Sequence, residues 1–120
     1  MLMDKRIETL AHNLINYSCD LKKGEKILIE ISGADNQIAV ALIREVYKVG
    51  GIPYVVLKDN RVERELRLGM TDESAECLAD IDSYRMDKMD AYIAVRGGNN
   101  SYEFGDISKK ANDAYAIKYS

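Results

Sequence analysis

The stretch that decides the fold is Lys26-Ile27-Leu28-Ile29-Glu30-Ile31. It is short, almost continuously apolar and rich in β-branched side chains, which is typical of a strand covered on both faces within a parallel sheet. The next segment, Ser32 to Asp35, contains a glycine and ends on an aspartate, a residue type that caps helices well. The sequence therefore predicts a buried first strand that leads directly into a helix.

Helices and strands alternate on both sides of this strand. Apolar residues at helical spacing predict a leading helix from about Asp4 to Tyr17, and a second helix that ends at Gly50-Gly51. Ile52 to Leu57 is predicted as the second strand. It contains Pro53, which cannot donate a ladder hydrogen bond, so this strand is expected at a sheet edge or with Pro53 near its start.

The second half of the chain continues the alternation. We expect a short helix around Val62 to Leu68, a third strand from Ala91 to Arg96, and a last helix from Asp106 to about Tyr119. Between the first two of these, Thr71 is expected to cap a further helix, with early acidic residues that suit its dipole. The buried side of that helix is predicted to carry Leu78, Ile81 and Tyr84.

These elements predict an α/β, three-layer αβα fold with a short parallel sheet and a leading helix before the first strand. Right-handed crossovers and an edge position for the second strand give the strand order 2-1-3. The order would reverse between strands one and three, and ligands of open α/β sheets favour the crevice at such a point. The loops there would be Ser32–Asp35 and Gly97–Asn100.

Length and composition limit the possible functions. The 120 residues fit a single domain, residues 1–120. The net charge is −3, from 17 basic and 20 acidic residues that are interspersed, so no basic patch indicates nucleic-acid binding. No stretch reaches the roughly 20 apolar residues of a membrane span. The distant Cys19 and Cys77 are predicted to be free, largely buried thiols, which indicates a cytoplasmic protein.

A search for catalytic chemistry finds no candidate constellation. His12, the single histidine, lies beside the apolar stripe of the leading helix and is predicted to be a surface or boundary residue rather than a metal ligand. Ser32–Asp35 has one glycine where a dinucleotide fingerprint needs three, and Gly97–Asn100 lacks the Lys-Ser/Thr of a phosphate loop. The sequence therefore assigns no catalytic, cofactor-binding or metal-ligating residue.

Several segments resemble the opening part of a known enzyme family. Leu10–Ser18 followed by Leu21–Ile29, together with Leu42–Gly51, is similar to the start of the thermophilic metalloaminopeptidases, of the aminopeptidase T and aminopeptidase S type. Weaker similarity continues through Ile93–Asn100 and Phe104–Asp106. The similarity covers nearly the whole chain, although it lies in structural rather than catalytic residues.

The resemblance implies a parent enzyme that removes amino-terminal residues from peptides with two divalent metal ions of the zinc, cobalt or magnesium type. The metal ligands of that family lie in the later part of a longer polypeptide, and none of their motifs can be matched here. It therefore implies an amino-terminal domain that is inactive alone. Its partners would be the carboxy-terminal catalytic domain of the same enzyme, a second copy in a homodimer, and peptide substrates.

Two other interpretations remain open at this point. The chain could be a free-standing, flavodoxin-like module with a small-molecule binding or regulatory role, and a ligand would then bind near Gly33 and Gly97. It could also be a pure interaction module without a ligand.

Overall fold

The computed structural model describes residues 4–98 and 101–109 of the chain. The first helix continues into a single π-helical turn, Leu14–Ser18. The helices and strands are α1 (Lys5–Asn13), β1 (Lys26–Ser32), α2 (Asn36–Lys48), β2 (Ile52–Lys58), α3 (Asn60–Leu68), α4 (Asp72–Asp87), β3 (Ala91–Gly98) and β4 (Ser101–Lys109).

The four strands form one mixed sheet in the order β2-β1-β3-β4. β1 pairs in parallel with both β2 and β3, which confirms the predicted order of the first three strands and the edge position of β2. Pro53 is the second residue of β2, where the missing N–H is tolerated because the strand has only one neighbour. The αβα arrangement and the leading helix are likewise as predicted.

The prediction of a last helix is wrong for those of its residues that the structure describes. Asp106 to Lys109 form the end of β4, which runs antiparallel to β3, and the remaining predicted helical residues lie outside the described part of the chain. Gly97 and Gly98, predicted as loop, are the last residues of β3. The physical reason is that the outer edge of β3 carries unpaired backbone groups, and a strand returning from a short connection satisfies them.

The main core lies between one face of the sheet and helices α1 and α2. Alternate residues of β1 and β3 face this side, and full burial of each such side chain contributes about 1.5–3 kcal/mol. Asp35 caps α2 as predicted by accepting a hydrogen bond from the Gln37 N–H, and Gly50 ends the helix with a left-handed φ of 79°. The largest fully buried side chains are Ile15, Ile27, Ile29, Ile31, Ile38, Leu42, Val46, Ile93 and Val95.

The second face of the sheet is covered much more loosely. Neither α3 nor α4 contains a buried residue. Thr71 caps α4 as predicted, in a reciprocal capping box with Ser74. The predicted buried side of α4 is wrong, because Leu78, Ile81 and Tyr84 are 43%, 55% and 67% exposed. Their helical spacing is real, but the helix does not press them against the sheet.

None of the helices in the described ranges, 4–98 and 101–109, is long and apolar enough to cross a membrane.

Candidate functional site

The two loops predicted to flank a ligand crevice pack directly on each other. A Cβ atom built on Gly97 would lie 2.4 Å from the Cα of Ala34 and 2.6 Å from the carbonyl oxygen of Gly33. Gly33 itself has a φ of +65°, a conformation that glycine adopts without steric cost. The space between these two loops is therefore filled, and the open volume at this edge lies beside them, toward α3.

That open volume is a cleft of about 710 Å³ between the second face of the sheet and α3. It lies at the carboxyl ends of the parallel strands, since Ser32 is in register with Lys58 on one side and with Arg96 on the other. This is the end of an α/β sheet where ligands commonly bind. The lining residues are Glu30, Ser32, Lys58, Asn60, Glu63, Arg64, Arg67, Leu68, Tyr92, Ala94, Arg96 and Gly97.

A hydrogen-bonded ion pair forms the floor of the cleft. The Tyr92 hydroxyl donates to one carboxylate oxygen of Glu30, and Lys58 Nζ forms an ion pair with the other. Burial alone would raise the pKa of Glu30, but the hydrogen bonds from Lys58 and Tyr92 outweigh burial, so this pKa lies below its usual value of 4.5. The hydrogen bond with Glu30 likewise raises the pKa of Lys58 above 10.5. Both groups are therefore charged at neutral pH.

The Glu30–Lys58 ion pair should make the free energy of unfolding depend on pH. Because the pKa of Glu30 is lower in the folded state than in the unfolded state, its contribution is full above pH 4.5 and is lost as the pH falls through the folded-state pKa. We expect Glu30→Gln to be less stable than the parent at pH 7, and the difference to shrink toward zero as the pH is lowered below 4.5. Urea unfolding of both proteins between pH 7 and pH 3 measures this difference. A difference that stays constant across that range would contradict the assignment.

Helix α3 forms the wall of the cleft with its charged side. Arg64 and Arg67 line the cleft, whereas Val62 and Leu66 on the other side of the helix are 58% and 56% exposed. The Asp59 side chain caps the helix by accepting from the Arg61 and Val62 N–H groups. An amphipathic helix normally buries its apolar stripe, whereas Val62 and Leu66 are open to solvent here.

His12 lies on the opposite side of the molecule, at the boundary between core and solvent. Its Nδ1 is 2.9 Å from Glu45 Oε1, and its side chain is 53% exposed. Glu45 also accepts a hydrogen bond from Lys48 Nζ at 2.9 Å. Burial would raise the pKa of Glu45, but the hydrogen bonds from Lys48 and His12 together lower it, so the carboxylate is a structural anion that joins α1 to α2.

The two cysteines differ in their surroundings. Both are free, and Cys19 is buried as predicted, where burial raises the pKa of its thiol to about 12. Cys77 is exposed, so the prediction of two largely buried thiols is wrong for this residue. Cys77 lies on α4, whose side chains remain partly open to solvent.

The residues required for a metal centre do not come together in the described part of the chain. Within these residues, no group of three or more His, Cys, Asp or Glu side chains is placed to hold a metal ion. The Glu30 carboxylate is already held by Lys58 and Tyr92, and Glu45 by Lys48 and His12.

The fold and the cleft define an αβα domain with a mixed four-stranded sheet and a polar cavity at the strand ends. The chain belongs to the thermophilic metalloprotease family M29, whose family model matches residues 3–118. This match confirms the family that the sequence resembles. Comparison with curated protein sequences gives no match.

The cleft residues were not found by sequence reasoning, although one signal was available. Glu30 is the only charged residue between Ile27 and Ile31, and strand alternation turns it to the face opposite the isoleucines. A single acid in an otherwise apolar central strand indicates a partner on that face. The partners, Lys58 and Tyr92, come from two other strands, and sequence alone does not pair them.

Proposed function

We propose that this chain is the amino-terminal domain of a metal-dependent aminopeptidase that removes amino-terminal residues from peptides. The match to family M29 over residues 3–118 carries the proposal. The family is one of metalloproteases, so the proposed substrates are peptides. Residues 1–120 would act as one domain, and two divalent metal ions would be held by a carboxy-terminal catalytic domain of the same enzyme.

In this proposal the domain acts as a scaffold. Its sequence has a single histidine, and hydrolytic metal sites commonly use at least one histidine among several clustered ligands. The His12 side chain is engaged with Glu45. The proposed domain would wall the substrate cavity of the parent enzyme and support its dimer, and the enzyme would work in the cytoplasm.

The outer surfaces of α3 and α4 support a role in packing against the rest of the enzyme. Val62, Leu66, Ile81 and Tyr84 are all more than half exposed on these two helices. Contiguous exposed apolar surface often marks an interaction site, and Val62 and Leu66 lie side by side on α3. We propose that the carboxy-terminal domain packs on this layer.

Whether the purified chain binds metal ions tests the proposal that the metal site lies in the carboxy-terminal domain. Equilibrium dialysis of the purified 120 residues against Zn²⁺ or Co²⁺, followed by metal analysis, is expected to show no stoichiometric retention. A matched sample of His12→Gln should give the same result, because His12 is not proposed as a ligand. Retention of two ions per chain at micromolar metal, lost in the presence of a chelator, would place the metal site in this chain and overturn the proposal.

A further inference from the structure

The cleft beside α3 has an excess of positive charge in a protein whose net charge is −3. Four cationic and two anionic side chains line it. Lys58 and Glu30 neutralise each other in their ion pair. The remaining charged side chains of the lining are three arginines and one acid, Glu63. Among the described residues, no ion pair or side-chain hydrogen bond engages the guanidinium groups of Arg64, Arg67 and Arg96.

An ion pair of α4 adds no net charge to that of the lining residues. The charge of Arg85 contributes to lowering the pKa of Glu30, and the charge of Asp82 contributes to raising the pKa of Lys58. The Arg85 guanidinium is held by Asp82 Oδ1 at 2.9 Å. Field lines from several cations converge in a concave polar site, which raises the local concentration of anions.

Two uncharged donors are positioned at the mouth of the cleft by tight local packing. A Cβ atom on Gly33 would lie 2.7 Å from Asn60 Nδ2, so the absence of a side chain at Gly33 is what lets the Asn60 amide lie against the end of β1. Ser32, the last residue of β1, lines the same cleft. The cleft therefore combines guanidinium groups with amide and hydroxyl donors.

The arginines of α3 lie on two sides of the helix. Arg61 lies with Val62 and Leu66 on the outward side of the helix, while Arg64 and Arg67 are directed to the cleft. Two guanidinium groups of one helix therefore line the cleft at the strand ends.

We propose that this cleft is a binding site for an oxyanion, either a phosphate group or the carboxylate of an acidic peptide. Planar guanidinium groups match both ligands because they donate two parallel hydrogen bonds to a pair of oxygens. Arg64 and Arg67 bind from α3 and Arg96 from β3, with Asn60 and Ser32 completing the donor set. The Lys58–Glu30 pair keeps the floor fixed. This site is independent of the proposed metal chemistry, and its failure leaves the family assignment unchanged.

The test is a titration of the isotope-labelled 120-residue chain, followed by amide chemical shifts. One arm uses inorganic phosphate and the other the dipeptide glutamyl-glutamate, each against sodium chloride at equal ionic strength. Saturable binding of at least one ligand is expected, with the largest shifts at the amides of Ser32, Asn60 and Gly97. Phosphate binding alone identifies a phosphorylated ligand, and dipeptide binding alone identifies a peptide carboxylate.

Matched variants on one helix distinguish the site from general charge attraction. Arg64→Gln combined with Arg67→Gln should weaken binding at least tenfold, which corresponds to about 1.4 kcal/mol. Arg61→Gln removes one such charge from the outward side of α3 and should leave binding within twofold, whereas Arg64→Gln alone, which removes one charge from the cleft side, should weaken it more than twofold. The proposal is overturned if neither ligand saturates, if the shifts lie elsewhere, or if Arg61→Gln weakens binding as much as Arg64→Gln alone does. The shift map of the parent chain decides the matter even if a variant fails to fold.

Discussion

Gly97→Ala is expected to lower the free energy of unfolding by about 1–3 kcal/mol or more, the range for forcing an extra methyl group into a close-packed site. The new Cβ would lie 2.4 Å from the Cα of Ala34 and 2.6 Å from the Gly33 oxygen. Both are backbone atoms, so no side-chain rotation can relieve the contact. The end of β3 must separate from the loop after β1, which also displaces Arg96 from its register with Ser32.

Gly69→Ala is the matched control for this change. Gly69 follows α3 with a φ of −103°, and a Cβ there would meet nothing within 4 Å. We therefore expect its unfolding free energy to stay within about 0.5 kcal/mol of the parent, as for ordinary surface substitutions. Urea unfolding followed by circular dichroism measures both variants. Equal stability of Gly97→Ala and the parent would show that the two loops do not pack as described.

The central part of the fold could be predicted because its signals are local and agree with one another. The apolar run Lys26–Ile31 has strand length, Asp35 caps the helix that follows, and Gly50 ends that helix. Pro53 restricts β2 to an edge. Together with the rule of right-handed crossovers, these few residues predict the strand order 2-1-3.

β4 was missed because its stability comes from pairing rather than from its own sequence. Asp106 to Lys109 carry charged and polar groups that also suit the start of a helix, and no local signal selects between the two. The free edge of β3 selects the strand, since ladder hydrogen bonds form only across the pair. A prediction from helical propensity omits this non-local contribution.

The exposed side of α4 was missed for a related reason. Leu78 and Ile81 have the spacing of a buried stripe, but the sheet face beneath this layer carries Glu30, Lys58 and Arg96 instead of a continuous apolar surface. Helical periodicity shows which residues share a side, and only the partner surface shows whether that side is covered. The same polar surface forms the cleft, so the exposure of α4 and the presence of the cleft have the same cause.

The site itself shows the limit of motif reasoning. The switch-point argument indicated the end of the sheet at which the cleft lies, but the loops it named are packed together at Gly97 and Ala34. The cleft lies beside them, and its cations come from β2, α3 and β3. Because Lys58, Arg64 and Arg96 are separated in sequence and follow no motif, their convergence is visible only in three dimensions.

The central proposal is that this member of the M29 family acts as a scaffold and that the catalytic groups of the enzyme lie outside residues 1–120. The direct test is hydrolysis of an aminoacyl chromogenic substrate by the purified 120-residue chain, with added cobalt or zinc and with a chelator as the blank. We predict no release of chromophore above the blank at either metal. Robust, metal-dependent turnover that copurifies with the chain and stops on chelation would contradict the proposal.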